Sequence, residues 1–208
     1  MKPMNKTLFS ILVALPLAAC ATTAPPSPVE VTRFHETNSL SQLSQGAVFV
    51  ADAPAAEGQT EGSLETSVYK AAVARELAKL GYSESGRDAA GQVAEVRLDR
   101  YVLESSGSRR GPVNVGVGGS TGGYRSGVGV GLGFNLGGGG SGERLVTELG
   151  VVIRDVASNG VLWEGRAEFS VGPDHPLAQP AANAEVVADA LFREFPGGQG
   201  ETIEVKVP

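Results

Sequence analysis

The chain is poor in the residues that do most enzyme chemistry. It has one cysteine, two histidines and one tryptophan, and aromatic residues make up 6% of it. A single cysteine excludes an internal disulfide. The histidines, His35 and His175, stand far apart in sequence and lack the short spacings of zinc sites, so no metal site is expected. No glycine-rich stretch ends in Gly-Lys-Ser or Gly-Lys-Thr, which removes a Walker loop. Gly137 to Gly142 does satisfy the GxGxxG spacing. A strand pattern follows it, however, and not the helix whose N-terminus would hold a pyrophosphate, so no nucleotide cofactor is expected. Positive charge is also short. Lys and Arg number 17 against 23 Asp and Glu, a net −6. An acidic domain repels phosphates, and no nucleic-acid partner is expected.

What is present begins at the amino terminus. Lys2 and Lys6 precede an apolar run from Leu8 to Leu17, and small residues follow it. The run is about half the ~20 residues needed to cross a bilayer as a helix, so it reads as a signal region. The sole cysteine closes it, in Leu17-Ala18-Ala19-Cys20. This tetrapeptide resembles the lipobox of bacterial lipoproteins. The resemblance implies cleavage before Cys20, a thioether-linked diacylglycerol on its sulfur and acylation of the new amino terminus. Several acyl chains hold a protein firmly where one binds reversibly. Residues 1–19 are thus expected to be a signal peptide and 20–28 a lipidated cysteine with a Pro-, Thr- and Ala-rich solvated tether. Ala21, with no Asp after the cysteine, implies by the same resemblance the outer membrane, facing the periplasm. Loss of Lys2 and Lys6 takes the net charge from −6 to −8, since no acid precedes Cys20.

Residues 29–208 are long enough for one domain with its own core. Val29 to Glu36 reads as a strand with Val29, Val31 and Arg33 on one face. Ala47 to Ala51 reads as a short buried strand. Leu64 to Leu80 carries Leu64, Val68, Ala72, Val73, Leu77 and Leu80 at helical spacing. Ser63 is its N-cap, Glu65 and Lys79 suit the two ends of the helix dipole, and Gly81 is its stop. Gln92 to Leu103 alternates, with Ala94, Val96, Leu98 and Val102 inward. Leu145 to Asp155 places Leu145, Leu149, Val151 and Ile153 inward. Val161 to Val171 places Val161, Trp163, Ala167, Phe169 and Val171 inward. Between these last two lies Ser158-Asn159-Gly160. A two-residue turn there would set Ile153 and Trp163 on opposite faces, so a three-residue loop with left-handed Gly160 is expected. Ala181 to Phe195 reads as a second helix burying Ala184, Val187, Leu191 and Phe195, ended by Pro196 and Gly197. Thr202 to Val207 is a last strand. The fold expected is α+β: a mostly antiparallel sheet with both helices on one face.

Residues 107–142 interrupt this pattern between the central strands, and nearly half of them are glycine. Val113, Val115 and Val117, and later Val128, Val130, Leu132, Phe134 and Leu136, alternate with Gly or Asn. Two readings stand: a hairpin with an apolar face and a bare glycine face, or a flexible loop. Arg109-Arg110 at its start suits lipid headgroups or plain solvation.

Other candidate chemistry is thin. Asp174-His175 with a serine can be drawn as a triad, but a solvated turn explains the pair. Glu164, Arg166 and Glu168 alternate on one strand face and read as a wet, charged surface. Trp163 falls on the apolar side. No catalytic, cofactor-binding or metal residue is assigned. The only site expected is the lipid attachment at Cys20.

Several landmarks fall in order: the lipobox, Leu77-x-x-Leu80-Gly81-Tyr82, Gly160-Val161-Leu162-Trp163-Glu164-Gly165, and Leu191-Phe192-x-x-Phe195-Pro196. In these the chain resembles the bacterial lipoproteins grouped as domain of unknown function 4136, roughly from Val29 to Pro196. The resemblance implies a small α+β envelope lipoprotein and supplies no catalytic residues. The glycine insert is not a general feature of that family. The expected role is a non-enzymatic binding or assembly module, anchored to the membrane by lipid and meeting an envelope protein partner. The alternative is a structural protein that uses the insert for self-association or membrane contact.

Overall fold

The computed structural model describes residues 25–54, 62–103 and 142–207. The glycine-rich stretch, apart from its last residue, and the lipobox lie outside them. The described residues form seven strands and two α-helices in the order β1 (Val29–His35), β2 (Ala47–Asp52), α1 (Leu64–Lys79), β3 (Ser83–Glu84), β4 (Gln92–Leu103), β5 (Arg144–Asp155), β6 (Val161–Val171), α2 (Pro180–Phe192) and β7 (Glu201–Val205). The strands form one sheet in the order β3-β2-β4-β5-β6-β1-β7.

The α+β class holds, but the sheet is mixed and not mostly antiparallel. β2 runs parallel to both β3 and β4, while the pairings from β4 through β7 are antiparallel. The cause is α1. Parallel neighbours need a long crossover, and a 16-residue helix between β2 and β4 provides it. Alternation of apolar residues gives a strand's faces and says nothing of its direction.

Helix α1 starts and stops as its caps predict. Thr66 N donates to Ser63 Oγ at 3.0 Å, and Gly81 takes φ +99° past the last turn. Its buried face is shifted from the expected stripe. Tyr69, Ala72, Val73 and Leu77 are buried, whereas Leu64 is 92% exposed and Val68 lies at the margin. Tyr69 displaces Val68 because its hydroxyl has a buried acceptor in α2, Asn183 Oδ1 at 2.8 Å.

Helix α2 begins on Pro180 and ends at Phe192, three residues earlier than expected. Pro196 explains the stop, since it has no N–H for the carbonyl of Phe192 four residues before it. Phe195 N donates to that carbonyl instead, at 3.1 Å. Phe195 leaves the helix yet still packs on the core.

Both helices cover one face of the sheet. Their buried residues share a single cluster with Val29, Val31, Ala94, Val96, Leu149, Val151, Ile153, Ala167 and Phe169. Val102, expected inward, is 54% exposed. Arg100, two residues earlier on the same face, reaches the helix layer through Glu65 and through the Ala178 carbonyl.

The β5–β6 hairpin keeps Ile153 opposite Trp163, as the apolar pattern requires, but by another device. Asp155 N donates to Gly160 O at 3.0 Å, closing a four-residue loop, and Asn159 takes the left-handed conformation in place of Gly160. The register then shifts between Ile153 and Arg154, leaving Leu162 as the extra residue of a bulge. Val161, before the bulge, is consequently exposed. Of the residues expected in the tether, 25–28 are described, and they are held to the sheet. Ser27 N donates to Ser170 O at 2.9 Å, and Arg144 Nη1 donates to Pro25 O at 3.1 Å, so the chain is held from Pro25 onward.

Candidate functional site: a buried arginine and an open acidic face

Alternation places Arg33 on the inner face of β1, and there it is fully buried. A buried guanidinium demands acceptors for its five N–H groups. The end of α2 supplies three of them, and β7 a fourth. Arg33 Nε donates to Leu191 O at 3.1 Å, and Nη2 donates to Ala190 O at 3.2 Å and Arg193 O at 2.6 Å. Nη1 pairs with Glu201 Oε1 on β7 at 2.9 Å. The cation thus closes the negative end of the helix dipole and ties it to the edge strand. The Glu201 carboxyl is held below its usual range, first by a backbone hydrogen bond from Gly198 and then by Arg33.

Two of the landmark segments converge here. Trp163 Nε1 donates to Pro196 O at 3.0 Å, and its ring lies 5.4 Å from Phe192, stacked, and 5.1 Å from Phe195. Gly165 leaves room for it: a Cβ there would stand 2.2 Å from Trp163 Cη2. Gly-Val-Leu-Trp-Glu-Gly and Leu-Phe-x-x-Phe-Pro are therefore two halves of one packing unit, and their residues are engaged in holding it.

The histidines are engaged as well. His175 Nδ1 accepts from Leu177 N at 3.1 Å and caps a 3-10 turn, so the Asp174-His175 pair belongs to that turn. His35 Nε2 lies 3.1 Å from Gly197 O. Among the described residues no group of three or more His, Cys, Asp or Glu side chains is placed to hold a metal ion. Cys20, with Leu17, Ala18 and Ala19, lies outside the described residues.

The face opposite the helices carries the unexpected feature. Glu204, Glu30, Glu168, Glu148 and Asp99 stand directly opposite one another across β7, β1, β6, β5 and β4. Five carboxylates form one row across five strands. Like charges directly opposed in a sheet are destabilising. None of the five is in a salt bridge among the described residues. Arg166 pairs with Glu164 at 3.0 Å, one step along the strand, and leaves Glu168 alone. Burial, and then Glu148 and Glu30, raises the Glu168 pKa; burial and then Glu204 raises that of Glu30. Tyr101 donates its hydroxyl to Glu148 Oε1 at 2.8 Å, and its own pKa is pushed up to about 12, by burial first and by Glu148 next. The sequence shows only Glu164-x-Arg166-x-Glu168 on one strand. The row exists in register, and a single strand carries no trace of it.

A mixed seven-stranded sheet with two helices on one side, sealed by a buried arginine and a tryptophan cluster, defines a small α+β domain. The chain belongs to the family described as Domain of unknown function (DUF4136), whose model matches residues 31–197. No curated protein matches the chain. Among solved structures, the PelC dodecamer from Paraburkholderia phytofirmans is 10% identical, with 82% of this chain and 99% of that chain covered and a TM-score of 0.43. A PDZ domain protein from Parabacteroides distasonis is 14% identical, with 87% of this chain but 39% of that one covered and a TM-score of 0.46.

Proposed function

We propose that this protein is a lipid-anchored module of the bacterial cell envelope, held to the outer membrane on its periplasmic side, which binds a partner and catalyses no reaction. The observation that carries the reading is the position of the only cysteine, at the end of Leu17-Ala18-Ala19-Cys20. The anchor would be acyl chains on Cys20. Two further facts support a binding role. Arg33, Trp163 and His175, the side chains best equipped for chemistry, are each engaged in holding the fold. The open sheet face, in contrast, presents charge that internal pairing leaves unmatched. The partner expected is another envelope protein.

Cells fed a radioactive fatty acid test the anchor. Label is expected on the wild-type chain and is lost in Cys20→Ser; label persisting on that variant sinks the assignment. In-cell crosslinking with mass spectrometry tests the binding role. Specific envelope partners are expected, and their absence from the intact lipoprotein overturns it.

A further inference from the structure

Every chain segment that leads toward the anchor leaves the same end of the sheet. β1 starts there at Val29, and Pro25 and Ser27 are held beside β6 by Arg144 and Ser170. Arg144 is the first residue of β5, opposite Leu103, the last of β4. From Cys20 to Pro25 is five residues, which extended span at most about 17 Å. An anchored Cys20 therefore keeps this end close to the lipid surface. The other end of β4, near Gln92, lies about 35–40 Å farther along the strand.

The near end exposes what a membrane interface accepts. Tyr101, Val102 and Leu103 are consecutive and 45%, 54% and 46% exposed, and Leu64 is 92% exposed at the start of α1. Arg100 pairs with Glu65, next to Leu64, on the helix side, the side Val102 shares, whereas Tyr101 and Leu103 alternate onto the open side, so the four line both sides of this one end of the sheet. Aromatic and aliphatic side chains around the rim of one end suit the boundary between headgroups and acyl chains. Among the described residues no helix is long and apolar enough to cross the membrane.

We infer that Leu64, Tyr101, Val102 and Leu103 form a lipid-contact surface which seats the domain against the bilayer and fixes its orientation. The inference rests on the Cys20 anchor proposed above. The seating points the turn at residues 87–89 away from the membrane and stands the open acidic face roughly upright, accessible from the periplasm.

The test uses the intact lipoprotein, purified from cells and reconstituted into vesicles of phosphatidylethanolamine and phosphatidylglycerol. With Cys20 acylated, an introduced cysteine is the sole free thiol. Nitroxide is placed on Val102→Cys or, as the distal control, Ala89→Cys, and its accessibility to oxygen and to a water-soluble nickel chelate is measured. On vesicles the oxygen-to-nickel ratio is expected to rise at position 102 and to stay at the detergent-free, membrane-free value at position 89. Equal ratios at both positions in protein that co-floats with vesicles overturn the contact surface and leave the anchor standing. A position 102 already shielded without vesicles shows that the chain itself covers the patch, and overturns the proposal too. Protein that fails to float overturns the anchor and the contact surface together.

Discussion

The two faces of this sheet handle charge in opposite ways. The inner face buries one cation, Arg33, and surrounds it with three carbonyls and a carboxylate. The outer face lines up five carboxylates, none of them in a salt bridge among the described residues, with Arg97 and Arg166 one row away. Inside, an unpaired charge would cost several kcal/mol, so the cation is given a carboxylate and three carbonyls. Outside, water screens repulsion, and a row of like charges is tolerable at a modest cost. The inner arrangement is therefore a requirement of the fold. The outer one is permitted by the fold and not demanded by it, which makes the outer face the better place to look for a role.

Breaking the inner side should have the largest effect. Arg33→Met strips the donors from the end of α2 and from Glu201, and a loss of about 3–5 kcal/mol is expected in urea denaturation. Arg33→Lys should recover little of it, because an ammonium cannot reproduce the fork. A variant within 1 kcal/mol of wild type, by the same ~1 kcal/mol yardstick used for an ordinary hydrogen bond, would show the cluster to be incidental. Gly165→Ala comes next. The added methyl overlaps the Trp163 ring and Leu191, and about 1–3 kcal/mol of overpacking should follow, with a changed tryptophan emission spectrum. Unaltered emission and stability would mean that the ring moves aside freely.

On the outer face the sign reverses. Glu168→Gln removes the central charge of the row and should stabilise the protein by up to about 1 kcal/mol at low salt, fading as salt is added. Destabilisation would indicate that Glu168 has a favourable partner. The smallest effect is in pH. Glu30 and Glu168 have raised pKa values in the folded state, so the folded protein holds their protons more tightly than the unfolded chain does. Stability should thus increase as pH falls toward their ordinary value of 4.5. Glu201 and Asp155 are lowered, and what they contribute is lost only below their ordinary values of 4.5 and 3.8. Thermal melts from pH 7 downward should show a shallow maximum, and the rise on its neutral side should vanish in Glu30→Gln/Glu168→Gln.

The sequence carried the inner face well and the outer face hardly at all. Alternation put Val29, Val31 and Arg33 together, set Ile153 and Trp163 on one side, and located the caps of α1, because burial imposes a period on each element separately. The direction of β2 and the row from Glu204 to Asp99 depend on which strands meet, and no local period records that. The hairpin falls between these cases. The need for Ile153 and Trp163 to share a face was legible, whereas a bulge at Leu162 meets it as well as a shorter loop would, and local signals do not choose between them. Leu64 and Val68 fit the apolar spacing yet stay outside, because the spacing does not register the hydrogen bond that draws Tyr69 inward.

Val29 pairs with Val205 across β1 and β7, so the chain enters and leaves the domain side by side. A short linker from Val207 to Pro25 would join them without crossing the sheet. The domain could then be opened between Leu103 and Arg144, at the same end, to give a circular permutant with every strand pairing kept. Such a permutant would separate what the natural order welds together, the proposed attachment point at Cys20 and the first strand of the sheet.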